Sequence, residues 1–441
     1  MNKPIIKIKR MSPGNNKLIF EIDKSCRFIA LVGISGETPE ETTYRKLKNK
    51  TYEISGLENR VDYELSLIGN SGVAGLVRPF RCGEYPGIVV NYIHPKDKTY
   101  FPSGMYPASP SIIETATKRL YVSHDIFCFD MAQNQTKIFC SDDSGDTWNV
   151  HSSVEGCLWG KLFIYQDIIY LLGNMHEYGD LVLYELVETS HTWRKACTIL
   201  KGGNKYTGGP HKAPMPIVKH KGRIWTAVEY GSWNLGGHAC GVISASGDIT
   251  IKENWIVSEF TDYDPSWPGT PDGESTGCIE GNIIVRPDGS IIDFLRFGID
   301  RCNPNYGRAL YLTIDHDNPK SAPQFGGVVD FQGNHTKFCI YYDISTDKYW
   351  TIVNKADHNK PRRRNELILM SSSDVENWTI EKTLLDYEHT GWYENYEKAG
   401  FQYVDFLFRG DFIYFVSRTA INGARNYHDS NCITFHKTRY K

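Results

Sequence analysis

The strongest constraint on the fold of this chain is a hairpin that recurs. The stretch Cys278-Ile-Glu280-Gly-Asn-Ile-Ile-Val-Arg-Pro287-Asp288-Gly289-Ser-Ile-Ile-Asp-Phe-Leu-Arg296 reads as two strands joined by a tight Pro-Asp-Gly turn. A hairpin returns its far ends to one edge, so Glu280 and Arg296 come out close together and only the turn lies opposite. From Gly87 onward the unit returns every 45–65 residues or so, roughly the spacing of propeller blades. The hairpins span residues 109–123, 160–173, 214–230, 280–296, 337–354 and 401–418, each followed by an outer strand such as 137–141 or 432–436. The last unit stops without a fourth strand, and residues 87–93 supply it from the N-terminal side, hiding an open edge. The expected fold is all-β, a six-bladed β-propeller over residues 84–441.

Residues 1–83 alternate short apolar strands with Gly, Asn and Pro turns, predicting a small β-sandwich. Within it, Tyr52-Glu-Ile-Ser-Gly56-Leu57-Glu-Asn-Arg-Val-Asp-Tyr63 resembles the strand, Gly-Leu turn and Tyr-bearing strand of fibronectin type III domains. That resemblance implies a spacer or docking module. Aromatic residues at 13% supply a large core, while 39 Gly and 20 Pro supply the turns.

The formal net charge of -3 is spread evenly. No basic stripe marks nucleic acid and no polybasic run marks a membrane, which leaves a small or neutral partner such as an oligosaccharide. The dense basic spot Lys360-Pro-Arg362-Arg363-Arg364 reads as a solvated loop, with attraction of an anionic substrate as the alternative. The N-terminus lacks a signal-like apolar region and no 18-residue apolar run follows, so the chain as given reads as cytoplasmic, or as secreted if a signal was trimmed. Eleven cysteines without CxxC pairs suit a reduced compartment. No nucleotide motif, CxxC zinc pattern or HExxH occurs, so neither cofactor nor metal is expected.

Ser141-Asp-Asp143-Ser-Gly145-Asp-Thr147-Trp148 follows the Asp-box pattern Ser-x-Asp-x-Gly-x-Thr-Trp. Weaker copies are Leu186-Val-Glu188-Thr-Ser-His191-Thr192-Trp193 and Ser371-Ser-Ser-Asp374-Val-Glu-Asn-Trp378. With the hairpin repeat, this resembles the sialidase superfamily of six-bladed propellers. The resemblance implies that Glu280 and Arg296 correspond to a hairpin whose Arg binds a substrate carboxylate. Sialidases also carry an Arg-Ile-Pro motif in the first blade. The comparable Tyr106-Pro-Ala108-Ser109-Pro110-Ser111 has no arginine, so the three-arginine clamp is incomplete, and the last blade's Tyr427-His428-Asp429 leaves a Tyr nucleophile unassigned. A relative acting on another glycan is the better expectation.

If the hairpin ends share one mouth, its rim can be read from the sequence. Blade one offers His124 and Asp125, and blade two Trp159, Lys161 and His176. His211, Lys212, Glu229 and Tyr230 come from blade three, and Glu280 and Arg296 from blade four. Blade five offers His335 and Lys337, and blade six Gln402, Asp405, Arg418, Asn422, His428 and Asp429. So many acids, cations and histidines at strand ends point to an active or binding site. Asp125, Glu280, His211, His428 and Asp429 are the candidate catalytic groups and the others candidate substrate contacts, with Trp159 and Tyr230 suited to stacking on a sugar face. Three readings stay open. An exo-acting glycoside hydrolase would use Asp125 as general acid and remove a terminal acidic sugar. A lyase would neutralise a uronate carboxylate with cations and take its C5 proton with His or Tyr. A non-catalytic carbohydrate-binding propeller would need only the aromatics.

Overall fold

The computed structural model describes residues 5–333, 335–387 and 395–441. Residues up to Arg81 form two four-stranded antiparallel sheets. One joins Ile8–Gly14, Lys17–Ile22, Thr51–Ser55 and Arg45–Lys46; the other joins Glu40–Thr42, Ile29–Ile34, Asp62–Ile68 and Arg78–Arg81. Alternation along Lys17–Ile22 turns Leu18, Phe20 and Ile22 inward, where they meet Tyr52, Leu65 and Phe80.

After the sandwich the described residues form six antiparallel sheets of four or five strands in chain order, called blades one to six below, and one two-stranded sheet that joins Asp272–Gly273 to Cys302–Asn303. In blades one and three the innermost strand is split into two short segments. Inner and middle strands are covered on both faces; Leu120–Phe127 is buried at every residue, its Ser123, His124 and Asp125 included. Outermost strands such as Thr192–Leu200 are mostly half-buried, with Arg194 and Lys195 exposed and Ile199 alone fully covered. Blade six ends at Cys432–Arg439, and Ile88–Tyr92 pairs with it antiparallel to complete the sheet.

What closes the ring is a relay of buried side chains, each bonding the backbone of the next blade. Ser111 accepts Leu162 N at 3.1 Å. Asn174 donates to Pro210 O at 2.7 Å and accepts Lys212 N at 3.2 Å. Glu229 accepts Gly281 N at 3.0 Å, and Asn282 accepts Ile340 N at 2.9 Å and donates to Phe338 O at 3.2 Å. Asn354 donates to Phe401 O at 2.7 Å, and Asp405 returns to blade one by accepting Ile112 N at 2.9 Å. Every interface therefore has its own polar fastening in an apolar surround. Asn282→Ala removes a partner from Ile340 N and from the carbonyls of Phe338 and Phe294, and is expected to cost about 2–4 kcal/mol in urea unfolding.

The sandwich is welded to the ring rather than tethered to it. Arg10 Nε donates to Val90 O at 2.6 Å, Arg78 and Asp97 form a fully buried ion pair at 2.6 Å, and Glu21 accepts Val150 N at 2.8 Å. Val89, Tyr92 and Cys432 belong to the sandwich's own core.

On the outer turn of blade one, Asp143 accepts Thr147 N at 2.8 Å and Trp148 Nε1 donates to Gly145 O at 3.1 Å. Blade five repeats this with Ser372, whose hydroxyl donates to Asp374 at 3.0 Å, while Trp378 Nε1 donates to Val375 O at 2.9 Å. The serine there is Ser372 and not the aligned Ser371, because the loop from aspartate to tryptophan is one residue shorter. Among the described residues no helix is long and apolar enough to cross a membrane.

Candidate active site

Three of the innermost strands carry the same irregularity. The register shifts between Leu158 and Lys161, between Ile279 and Asn282, and between Gln402 and Asp405. In each bulge one residue takes a left-handed backbone: Trp159 at φ 54°, Glu280 at φ 60° and Tyr403 at φ 56°. Such a conformation is strained for a large side chain and concentrates at functional sites. The bulge releases the side chain from the ladder, and each of the three meets a residue of another blade or, in Glu280, the far strand of its own hairpin. A Cβ on the neighbouring Gly281 would come within 2.1 Å of Asp293, so only glycine fits beside Glu280.

Around Tyr403 stand three arginines from different elements. Arg296 donates to Glu280 Oε2 at 2.8 Å, and its guanidinium lies close enough to Tyr403 for the two to interact electrostatically. The guanidinium carbons of Arg418 and Arg364 lie 5.2 Å and 5.6 Å from the Tyr403 ring centre. Arg418 and Arg364 are buried, and Nε of all three arginines lacks a hydrogen-bond partner among the described residues. Burial, then repulsion from Arg296 and Arg418, pushes the Arg364 guanidinium down to about 10. Burial would raise Glu280, but Arg296 and then His211 outweigh it and hold this carboxyl below its usual range. Buried donors left over on clustered cations make a site for a planar anion, best a carboxylate gripped in bidentate fashion.

Near enough to Arg418 to feel its charge, Asp125 is fully buried, and neither of its oxygens has a hydrogen-bond partner among the described residues. Burial raises its carboxyl to about 7, against the opposing pull of Arg418. Near neutral pH this acid is still partly protonated, while Glu280 has lost its own proton. On the third side His211 Nδ1 lies 2.9 Å from Glu229 Oε2. Its ring centre is 4.4 Å from Trp159 and 5.3 Å from His238, which in turn sits 4.7 Å from the half-exposed Trp233. This aromatic row leads outward from the mouth.

Further predicted residues support these groups. His428 Nδ1 lies 2.9 Å from Asp429, and burial with the nearby Arg418 depresses the imidazole to about 3. The His428 carbonyl accepts from Arg418, and the Gln402 side chain from Arg364. His335 is depressed to about 4 by burial and by Arg296, and its carbonyl accepts from Arg364 at 3.3 Å.

Other expected contacts lie elsewhere. Lys161, Lys212, Lys337 and Asp405 are buried and bonded within the protein. Lys161 Nζ donates to Asp405 at 2.6 Å and to the Tyr341 hydroxyl at 2.9 Å; Lys337 donates to Val404 O at 3.0 Å; Lys212 donates to Ala213 O at 2.8 Å. Each of these charges is taken up by a protein partner and helps to hold the fold. His124 follows the strand's alternation to the face opposite Asp125, where it stacks on Phe139 and bonds Asn91 at 3.0 Å. Tyr230 alternates with Glu229 in the same way and lines a separate cavity of about 350 Å³ with His238 and Tyr263. Asn422 bonds Cys82 O and the Tyr85 hydroxyl at the sandwich joint, each at 3.0 Å. His176 is exposed at the edge, bonded to Glu177 O.

Tyr403 and Arg364 are the site residues that the sequence reading did not single out. Arg364 ends the basic run expected to be solvated, and it is the neighbours Arg362 and Arg363 that face outward to Asp300 and Asp357. Tyr403 sits beside the predicted Gln402, and only the bulge turns it into the mouth.

No protein-family model and no curated protein sequence matches this chain. Solved structures with the same architecture do. A Penicillium chrysogenum α-L-arabinanase bound to arabinobiose superposes with a TM-score of 0.53 at 13% identity, covering 80% of this chain and 99% of that one. A Hadza microbial sialidase gives 0.52 at 9% identity, covering 98% of this chain and 92% of that one. An α-L-arabinofuranosidase from Fusarium graminearum, bound to an iminosugar inhibitor, gives 0.50 at 11% identity over 80% and 98%. The shared feature is the propeller fold.

Proposed function

We propose that this chain is a glycoside hydrolase that releases a terminal sugar bearing a carboxylate. The observation that carries the reading is the cluster of Arg296, Arg364 and Arg418 around Tyr403, with buried donors lacking partners among the described residues. The neighbours of similar fold act on both acidic and neutral sugars, by their names, so fold alone does not choose between them. A neutral furanose offers nothing to neutralise three guanidinium groups, whereas a carboxylate does. The missing first-blade arginine is made up by Arg418 of blade six, which stands beside blade one.

The chemistry follows in two displacements. Tyr403 Oη bonds to the anomeric carbon as the bond to the leaving oxygen breaks. The phenol proton goes to Glu280, which Arg296 holds at 2.8 Å, and Asp125 gives its proton to the departing oxygen. Water then attacks the same carbon, losing its proton to Asp125, and the C–O bond to Tyr403 breaks as Glu280 returns the proton to the phenolate. The sugar keeps its anomeric configuration. A tyrosine suits this role because an anionic nucleophile would be repelled by the substrate's own carboxylate.

The pH profile follows from the two carboxyls. Asp125 must be protonated in the first step, so kcat/KM is expected to fall as pH rises through about 7. Glu280 must be ionised, and its depressed pKa places the acid limb below the ordinary glutamate value. In a pH–rate measurement, a flat profile from pH 6 to 9 would contradict the role of Asp125. Asp125→Asn is expected to lose about 10²–10⁴-fold on natural glycosides, and much less on aryl glycosides whose leaving group needs no proton.

The deciding experiment is incubation with oligosaccharides ending in acidic or neutral sugars, with products analysed by mass spectrometry. Release of an acidic monosaccharide is expected; release of neutral termini alone would refute the reading. The His211–Glu229 pair beside the arginines also suits a lyase, with His211 taking the C5 proton of a uronate. An ultraviolet-absorbing unsaturated product would establish that reaction instead.

A further inference from the structure

We infer that the outer edge shared by blades one and two holds a divalent transition-metal site made by His151, Glu188 and His191. His151 lies on Asn149–Glu155 of blade one. Glu188 and His191 lie in the turn that joins Leu181–Val187 to Thr192–Leu200 of blade two. This turn is the degenerate copy of the Ser-x-Asp-x-Gly-x-Thr-Trp motif, with Glu188 at the aspartate position and a histidine just before its Thr-Trp. The site lies on the outermost strand and outer turn of these blades, whereas the mouth is built from inner strands, and it takes no part in the chemistry proposed there.

One ligand atom from each residue lies within 4.8 Å of the other two. His151 Nε2 and His191 Nδ1 are 2.7 Å apart, with ring centres at 4.6 Å. Two imidazole nitrogens facing each other satisfy one another only when one carries a proton and the other does not. A metal ion takes a lone pair from both, and tetrahedral zinc would need them only slightly wider, at roughly 3.3 Å. The supporting groups are also present. Ser152 Oγ lies 2.8 Å from the other nitrogen of His151 and accepts Trp193 Nε1 at 2.9 Å, fixing the ring from behind as outer-shell partners do. Tyr121 donates to Glu188 Oε1 at 3.0 Å. Arg119 is the competing cation, but it sits 2.8 Å from Asp142 and 3.8 Å from Glu188, so Asp142 is its nearer partner.

Two imidazoles and one carboxylate suit Zn²⁺ with water as the fourth ligand, and disfavour Ca²⁺ and Mg²⁺, which take oxygen ligands. An ion here clips the outermost strand of blade one to blade two, where the fastenings around the ring's inner strands do not reach. Its role is structural.

The test uses the full chain, freed of any affinity tag and of metal, titrated with zinc chloride by calorimetry and followed in thermal melts. One equivalent is expected to bind with micromolar affinity or tighter and to raise Tm by at least about 2 °C, while calcium chloride does neither. His191 and Glu188 are exposed, so His191→Ala and Glu188→Gln should keep the metal-free Tm. Each is expected to weaken zinc binding by more than about 10-fold. Zinc affinity unchanged in both variants, or weaker than about 100 µM in the parent protein, would overturn the site.

Discussion

Tyr403→Phe is expected to lower kcat on an acidic glycoside by about 10⁴-fold or more, since removing a nucleophile leaves only binding and electrostatic stabilisation. The change deletes one hydroxyl from a half-buried ring, so Tm and KM should hold close to those of the parent. The ring still supports the guanidinium groups of Arg364 and Arg418, which touch its face and not the hydroxyl alone. Rapid-quench mass spectrometry with a slow substrate supplies an independent check, because the parent protein should carry the sugar on Tyr403. Turnover within about 10-fold of the parent would remove Tyr403 from the reaction and leave the arginines as a binding site only.

Arg364→Met is expected to reduce kcat/KM on the acidic substrate by roughly 30- to 5,000-fold, the equivalent of about 2–5 kcal/mol for losing one partner of a buried, charge-assisted contact. The same substitution relieves repulsion in the cluster, since Arg296 and Arg418 both depress Arg364. It also removes the donor to the His335 carbonyl and the Gln402 side chain, so a melt should show a loss of about 1–3 kcal/mol, offset in part by that relief. A substrate whose carboxylate has been esterified provides the second arm. If Arg364 grips that carboxylate, the ester should lose nearly as much with the parent protein, and the variant should barely distinguish acid from ester. Equal losses on acid and ester in the variant would show that Arg364 acts on something other than the substrate's charge.

Much of this architecture is carried by local pattern. Hairpins have period-two alternation and Gly or Asp turns, so the Glu280–Arg296 unit and its relatives are legible one by one. Middle strands such as Ile168–Asn174 declare themselves by consecutive apolar residues. The Glu280–Arg296 contact was also foreseeable, because a hairpin forces its ends together whatever surrounds it. Asp125 was legible as an acid at a strand end, but its altered acidity was not, since that arises from burial by residues distant in sequence.

Where the reading of individual rim residues departs from the structure, the cause is strand alternation. His124 and Asp125 are neighbours in sequence and so face opposite ways, as do Glu229 and Tyr230, and listing both of each pair counts one residue too many. Lys161, Lys212 and Lys337 mark a second limit, for a lysine near a strand end reads the same whether it meets solvent or a carbonyl across the ring.

The amino-acid sequence by itself determined the strands, the turns, their repetition and the pairing of groups within one hairpin, because those depend on residues close along the chain. Only the tertiary structure decided which groups share the mouth. Arg364 leaves a basic loop to join it, Arg418 arrives from another blade, and the bulge at Gln402–Asp405 turns Tyr403 between them. Closure of the ring sets those distances, and closure depends on six separate interfaces whose partners lie on different blades.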